Sequence, residues 1–282
     1  MPEAELLRLG GEVAAGRLIP YLGPDLLTLG AAPPVVPAGA RELALRLTRQ
    51  VAVPGRIAGN MWHAAQYIET FRHRVALDRL MLEIFQPVPE PLPLHRWLAG
   101  LPRLPLIVDS WYDATMAEAL AGRTDWGLIQ GASKARRTDE APWFRAYDAE
   151  GGECPETAAH GWTTLLYKPH GATRPAGDVL ASDADYVEVL TDIDIQTPIP
   201  EAVKARRAAR GFLFLGCRFY DQILRTFARS IVKHSAGPHY AVVPPEGLTR
   251  NEEKFFAVTG ITPLPLPLAR AAELLAAVPP SP

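Results

Sequence analysis

The chain has 282 residues, a formal charge of −2 and 48% hydrophobic residues, which suits one large domain, or one domain with a small insertion, and an ample core. That charge gives no electrostatic pull towards nucleic acid or an anionic membrane. Two cysteines, Cys154 and Cys217, make no disulfide framework, no CxxC pair offers a structural zinc, and apolar runs of strand length fall far below the roughly 20 residues of a membrane span. A cytoplasmic protein without signal peptide, metal or membrane contact is expected.

The elements alternate. Residues 3–15 predict a helix on Leu6, Leu7 and Val13, and Leu18–Leu22 a strand ending at Gly23. Arg41–Val51 is an amphipathic helix, followed by helices over Asn60–Thr70 and Val75–Phe85, the latter stopped by Pro87. A short helix at His95–Leu101 leads to the strand Leu104–Asp109 and the helix Ala114–Leu120. Short strands are expected at Gly127–Gly131, Trp143–Tyr147 and Thr163–Lys168. Ala202–Arg210 is a helix with Pro200 near its start and Gly211 after its end. The strand Phe212–Leu215, helix Tyr220–Lys233, strand Tyr240–Val243 and helix Leu268–Ala277 complete the pattern. Pro33–Pro37, Pro87–Pro93 and Pro263–Pro267 read as ordered connections, and the second could serve an interface. Lys204-Ala205-Arg206-Arg207 and Arg136-Arg137 read as solvated charge, a nucleic-acid patch being the minority alternative. Apolar strands alternating with helices argue for an α/β, Rossmann-like, largely parallel sheet with helices on both faces and a helical insertion at about 55–100.

Four segments carry candidate chemistry. The first turn is Leu22-Gly23-Pro24-Asp25-Leu26-Leu27, in which Gly23 and Asp25 either approach a diphosphate or simply form a strand-to-helix turn capped by Asp25. The second runs Ile107-Val108-Asp109-Ser110-Trp111-Tyr112-Asp113, the third Lys168-Pro169-His170-Gly171, and the fourth Phe212-Leu213-Phe214-Leu215-Gly216-Cys217-Arg218-Phe219-Tyr220-Asp221. Trp111 is either core at a strand edge or a planar surface for a ligand, and Asp113 and Asp221 either cap helices or meet one. Cys217 reads as a small buried residue. Arg218 either binds an anion or blocks the site.

In this order the segments resemble the sirtuin-like family in its bacterial branch, whose members bind NAD and often hydrolyse it. The resemblance covers nearly the whole chain. It implies a nucleotide cleft formed by Gly23, Asp25, Trp111, Tyr112, Gly171, Gly216, Cys217, Arg218 and Asp221, with His170 and Asp113 as catalytic residues and His170 as a base. The departures are specific. Small residues of the family's first loop are Pro24, Asp25 and Leu27 here, Trp111 stands at the catalytic Asn position, and Arg218 at that of a small Ser. An indole has one donor and no acceptor, so it cannot replace an Asn. The resemblance therefore implies a catalytically degenerate protein that holds NAD or ADP-ribose, or a scaffold acting through protein partners or a homo-oligomer. An active NAD glycohydrolase of the anti-phage type is one alternative; an enzyme on another nucleotide, with a pocket of Trp111, Arg218 and His170, is the other. Zinc-dependent protein deacylation is excluded by the missing four-cysteine module.

Overall fold

Leu18–Leu22 (β1) is buried along its whole length, which places it at the centre of the sheet rather than at an edge. The computed structural model describes residues 2–133, 143–192 and 199–280, so Arg136-Arg137 lies outside the described residues. Nine strands share one sheet: β1 is flanked by Gly211–Leu215 (β9) and Leu106–Asp109 (β2). Beyond β9 lie His239–Val243 (β10) and Ile261–Pro265 (β11), and beyond β2 lie Thr164–Lys168 (β6), Trp126–Gly131 (β3), Phe144–Tyr147 (β4) and Glu153–Cys154 (β5). All pairings are parallel except β3–β4 and β4–β5, which make an antiparallel margin. The expected Rossmann-like α/β sheet is present.

Alternate strand residues face opposite layers, as the two-residue period requires. Leu22, Ile107, Leu166, Leu213 and Leu215 pack on one side with Pro2–Ala14 (α1), Pro93–Ala99 (α5), Thr115–Leu120 (α6) and Leu268–Ala276 (α11). Tyr21, Val108, Tyr167, Phe212 and Phe214 pack on the other, with Glu201–Arg207 (α8), Gln222–Val232 (α9) and Arg250–Thr259 (α10). A third cluster joins Ala40–Gln50 (α2), Met61–Arg72 (α3) and Arg74–Ile84 (α4) to Trp111, Tyr112 and Tyr186. Of the helical block expected at 55–100, α3 and α4 belong to this cluster, whereas α5 joins the sheet layer. The helical cluster is fastened to Asp183–Asp192 (α7) by buried Arg74, which donates to Asp78 (2.8 Å), Asp185 (2.7 and 2.9 Å) and the Val179 carbonyl (2.6 Å).

The sequence pattern misses α7, α10 and β11. Pro263 and Pro265 fit a strand because β11 is an edge strand, where missing amides cost no ladder bond. The basic run on α8 is not a solvated face. Arg207 is buried and donates to the Ser230 and Ile231 carbonyls, while Arg206 donates to those of Ala159 and Trp162. Their guanidiniums satisfy chain carbonyls instead of facing a polyanion.

Candidate functional site

The carboxyl ends of β1, β2, β6 and β9 meet where connections diverge to either side, the place where open α/β sheets form ligand crevices. After β1 the chain turns into a 3-10 helix, Pro24–Leu29, with Gly23 before it and no side-chain cap. The turn is locked to the turn after β9. Gly23 N donates to Leu215 O (2.8 Å), Asp25 N to Gly216 O (3.1 Å) and Leu26 N to Gly23 O (3.3 Å). A Cβ at Gly23 would stand 2.2 Å from Gly216 O, so the close approach requires glycine. Gly216 answers with φ +67. Pro24 contributes no N–H, so the amides that would cradle a diphosphate are absent or already used. The Asp25 side chain lines the cleft instead of capping, and burial pushes its carboxyl up to about 6, with Arg218 pulling down and Glu252 pushing up.

Trp111 is buried, its Nε1 donates to Pro37 O (2.7 Å), and its ring packs 6.0 Å from Phe85 and 5.0 Å from Tyr112. It is both core of the helical cluster and wall of the cleft. Tyr112 turns away, donating its hydroxyl to Leu180 O (2.7 Å) within the same cluster. Asp113 does not join His170. Its Oδ1 accepts from Thr115 N (2.9 Å) and Thr115 Oγ1, holding the start of α6, and it lines a different cavity. Between these positions, Asp109 takes a 2.5 Å ion pair from buried Lys168 and a 3.1 Å bond from Trp111 N. Burial raises the Asp109 carboxyl to about 6 against the pull of Lys168, so the carboxylate form prevails at neutral pH.

His170 lines the cleft and is 3% exposed. Its Nδ1 lies 2.9 Å from Tyr186 Oη, which is also 3.0 Å from Leu180 O. The one phenolic proton serves either Leu180 O or Nδ1, so the ring tautomer follows that choice, and in both Nε2 is buried without a partner. Burial, and secondarily Lys168, pushes the imidazole down to about 3, so it is neutral at pH 7. Gly171 follows with φ +80, opening the short strand Gly171–Ala172 (β7) that pairs with Asp178–Val179 (β8).

After β9, Cys217 sits against Tyr21 O and Leu215 O at 3.6 and 3.7 Å, and burial raises its thiol well above the ordinary range. It is no nucleophile at neutral pH. Arg218 lines the cleft but forms a bidentate pair with buried Glu252 (3.0 and 3.2 Å). Burial opposes ionisation of Glu252, but Arg218 and bonds from Thr249 and Phe219 hold its carboxyl down to about 2. Asp221 caps α9, accepting from Ile223 N at 2.8 Å.

Tyr186, visible in the sequence only as half of an Asp185-Tyr186 pair that fits the family pattern, and Glu252 are functional neighbours whose place at the site sequence reasoning missed. The second had a legible signal: Thr249-Arg250-Asn251-Glu252 is a capping box, with Thr249 and Glu252 each bonding the other's backbone N–H. Together these side chains leave a cleft cavity of about 40 Å³, room for water but not for a nucleoside moiety. In this arrangement the residues do not fit an NAD dinucleotide: the space, the turn amides and the Asp25 charge are all adverse. No group of three or more metal-ligating side chains occurs among the described residues.

The described SIR2-like domain family matches residues 105–264, more than half of the chain and the stretch from β2 to β11. The chain belongs to this SIR2-like family. A solved structure from "Structural Basis for the Mechanism and Regulation of Sir2 Enzymes" aligns over 97% of this chain and 96% of that chain, at 15% identity and a TM-score of 0.39. No curated protein matches.

Proposed function

We propose that the chain is a catalytically degenerate SIR2-like protein, in which NAD hydrolysis is crippled and the fold serves binding or assembly with protein partners or further copies of itself. One observation carries this reading: the cleft cavity, lined among others by Trp111 and by Arg218 in its pair with Glu252, measures only about 40 Å³. Loss of a positioned polar group at the family's Asn position removes on the order of 10²–10⁴ in rate where such a group does acid–base work. An ADP-ribose-type ligand would enter only after the cleft had widened at Trp111 or at Arg218. A second reading, an active NAD glycohydrolase, is favoured by His170, whose unpartnered Nε2 lies at the cleft as a base would. Incubation with NAD and chromatography of nicotinamide separates the two. Release no faster than in buffer supports the degenerate reading; release at an enzymatic rate that His170→Ala abolishes establishes the second.

A further inference from the structure

A second cavity, of about 300 Å³, lies outside the cleft, between α6, β3 and the chain after β4. Its apolar lining comes from Ala117 of α6 and Ala121 just after it, with Trp126 and Leu128 of β3, residues of the sheet face opposite Tyr21 and Val108. The volume is at the lower end of the range for small-molecule sites.

The charges around it are unbalanced. Asp113, Glu118, Asp148 and Glu150 line the cavity, and none has an ion-pair partner among the described residues. Against these four carboxylates stand Lys168, already neutralised by Asp109 at 2.5 Å, and Arg174, which donates to Gln86 O. Asp113 is 96% buried by its 4% exposure, and after Oδ1 has taken Thr115, its Oδ2 keeps no hydrogen-bond partner among the described residues. Glu118 and Glu150 are exposed and Asp148 accepts from Glu150 N and Gly152 N, so the negative potential of the cavity centres on buried Asp113. The occupant that balances it has a positive end for Asp113 and Glu118 and an apolar body for the alanines, Leu128 and the Trp126 ring.

We propose that this cavity binds a small organic cation, an aryl-alkyl amine or guanidine, independently of the nucleotide cleft. The test uses phenethylamine as probe and 2-phenylethanol as its neutral counterpart, titrated calorimetrically into the full chain, with Glu118→Gln and Ala121→Trp variants. Ala121 is exposed at the end of α6, so the indole fills the cavity mouth without entering the core, and melting curves check the fold. One saturable site for the amine is expected, with the alcohol about tenfold weaker or worse because the charge-assisted bonds are lost. Glu118→Gln weakens the amine several-fold and Ala121→Trp abolishes its binding. No saturable amine binding, equal affinity for the alcohol, or binding unchanged in both variants overturns the proposal.

Discussion

Asp25 shows how a single substitution reshapes the cleft. Its carboxyl is raised by burial to about 6, so the ionised form is costly in the folded protein above that pH and the cost fades as the pH falls towards the ordinary 3.8. Asp25→Asn removes the cost. The variant should melt higher than the parent at pH 7.5, by on the order of 1 kcal/mol of stability, and the gain should shrink steadily between pH 6 and pH 4. His170 runs the other way: with its imidazole pushed down to about 3, the unfolded chain binds more protons between there and 6.5, so its contribution is lost on acidification through that window. Lys168 makes a third case at this scale. Lys168→Met leaves Asp109 buried with only Trp111 N against it, so the carboxyl must stay charged without its partner or take up a proton, and denaturant unfolding should show a loss of up to about 3–5 kcal/mol.

The interlock of the β1 and β9 turns belongs to the scale of elements. Gly216 has φ +67, and a Cβ there would lie 2.8 Å from Leu26 N, a backbone atom that cannot swing aside. Gly216→Ala should therefore cost about 2 kcal/mol or more in chemical denaturation, from left-handed strain and overlap together. Much at this scale was legible in the sequence. The expected strands Leu18–Leu22, Leu104–Asp109 and Phe212–Leu215 are short, mostly apolar and followed by turns, and they fall on the three adjacent central strands. The edge strand Ile261–Pro265 was not legible, because its two prolines and its adjacent exposed positions, Thr262 and Pro263, contradict the signal of a buried strand. Nor does the sequence show that Asp113 and His170 line separate cavities. Both follow strands, but only tertiary packing decides which face of the sheet each side chain meets.

At the scale of the whole molecule, the cleft and the helical cluster are one packing problem. Trp111 joins Phe85 and Tyr112 of the cluster while walling the cleft, so the residue at the family's Asn position links the insertion to the sheet. Shrinking it opens the site and loosens the cluster together; Trp111→Ala should cost about 3–5 kcal/mol, as for other buried large-to-small changes. The same coupling explains why the site could be read only partly from sequence: Trp111 was visible as an anomaly, but its bond to Pro37 O, 74 residues away, was not. Closure of the cleft is tested by calorimetric titration of ADP-ribose into the parent and into Trp111→Ala, each confirmed folded at the working temperature. No saturable binding to the parent and measurable binding once the indole is removed are expected. Tight binding to the parent, unimproved by Trp111→Ala, would contradict closure.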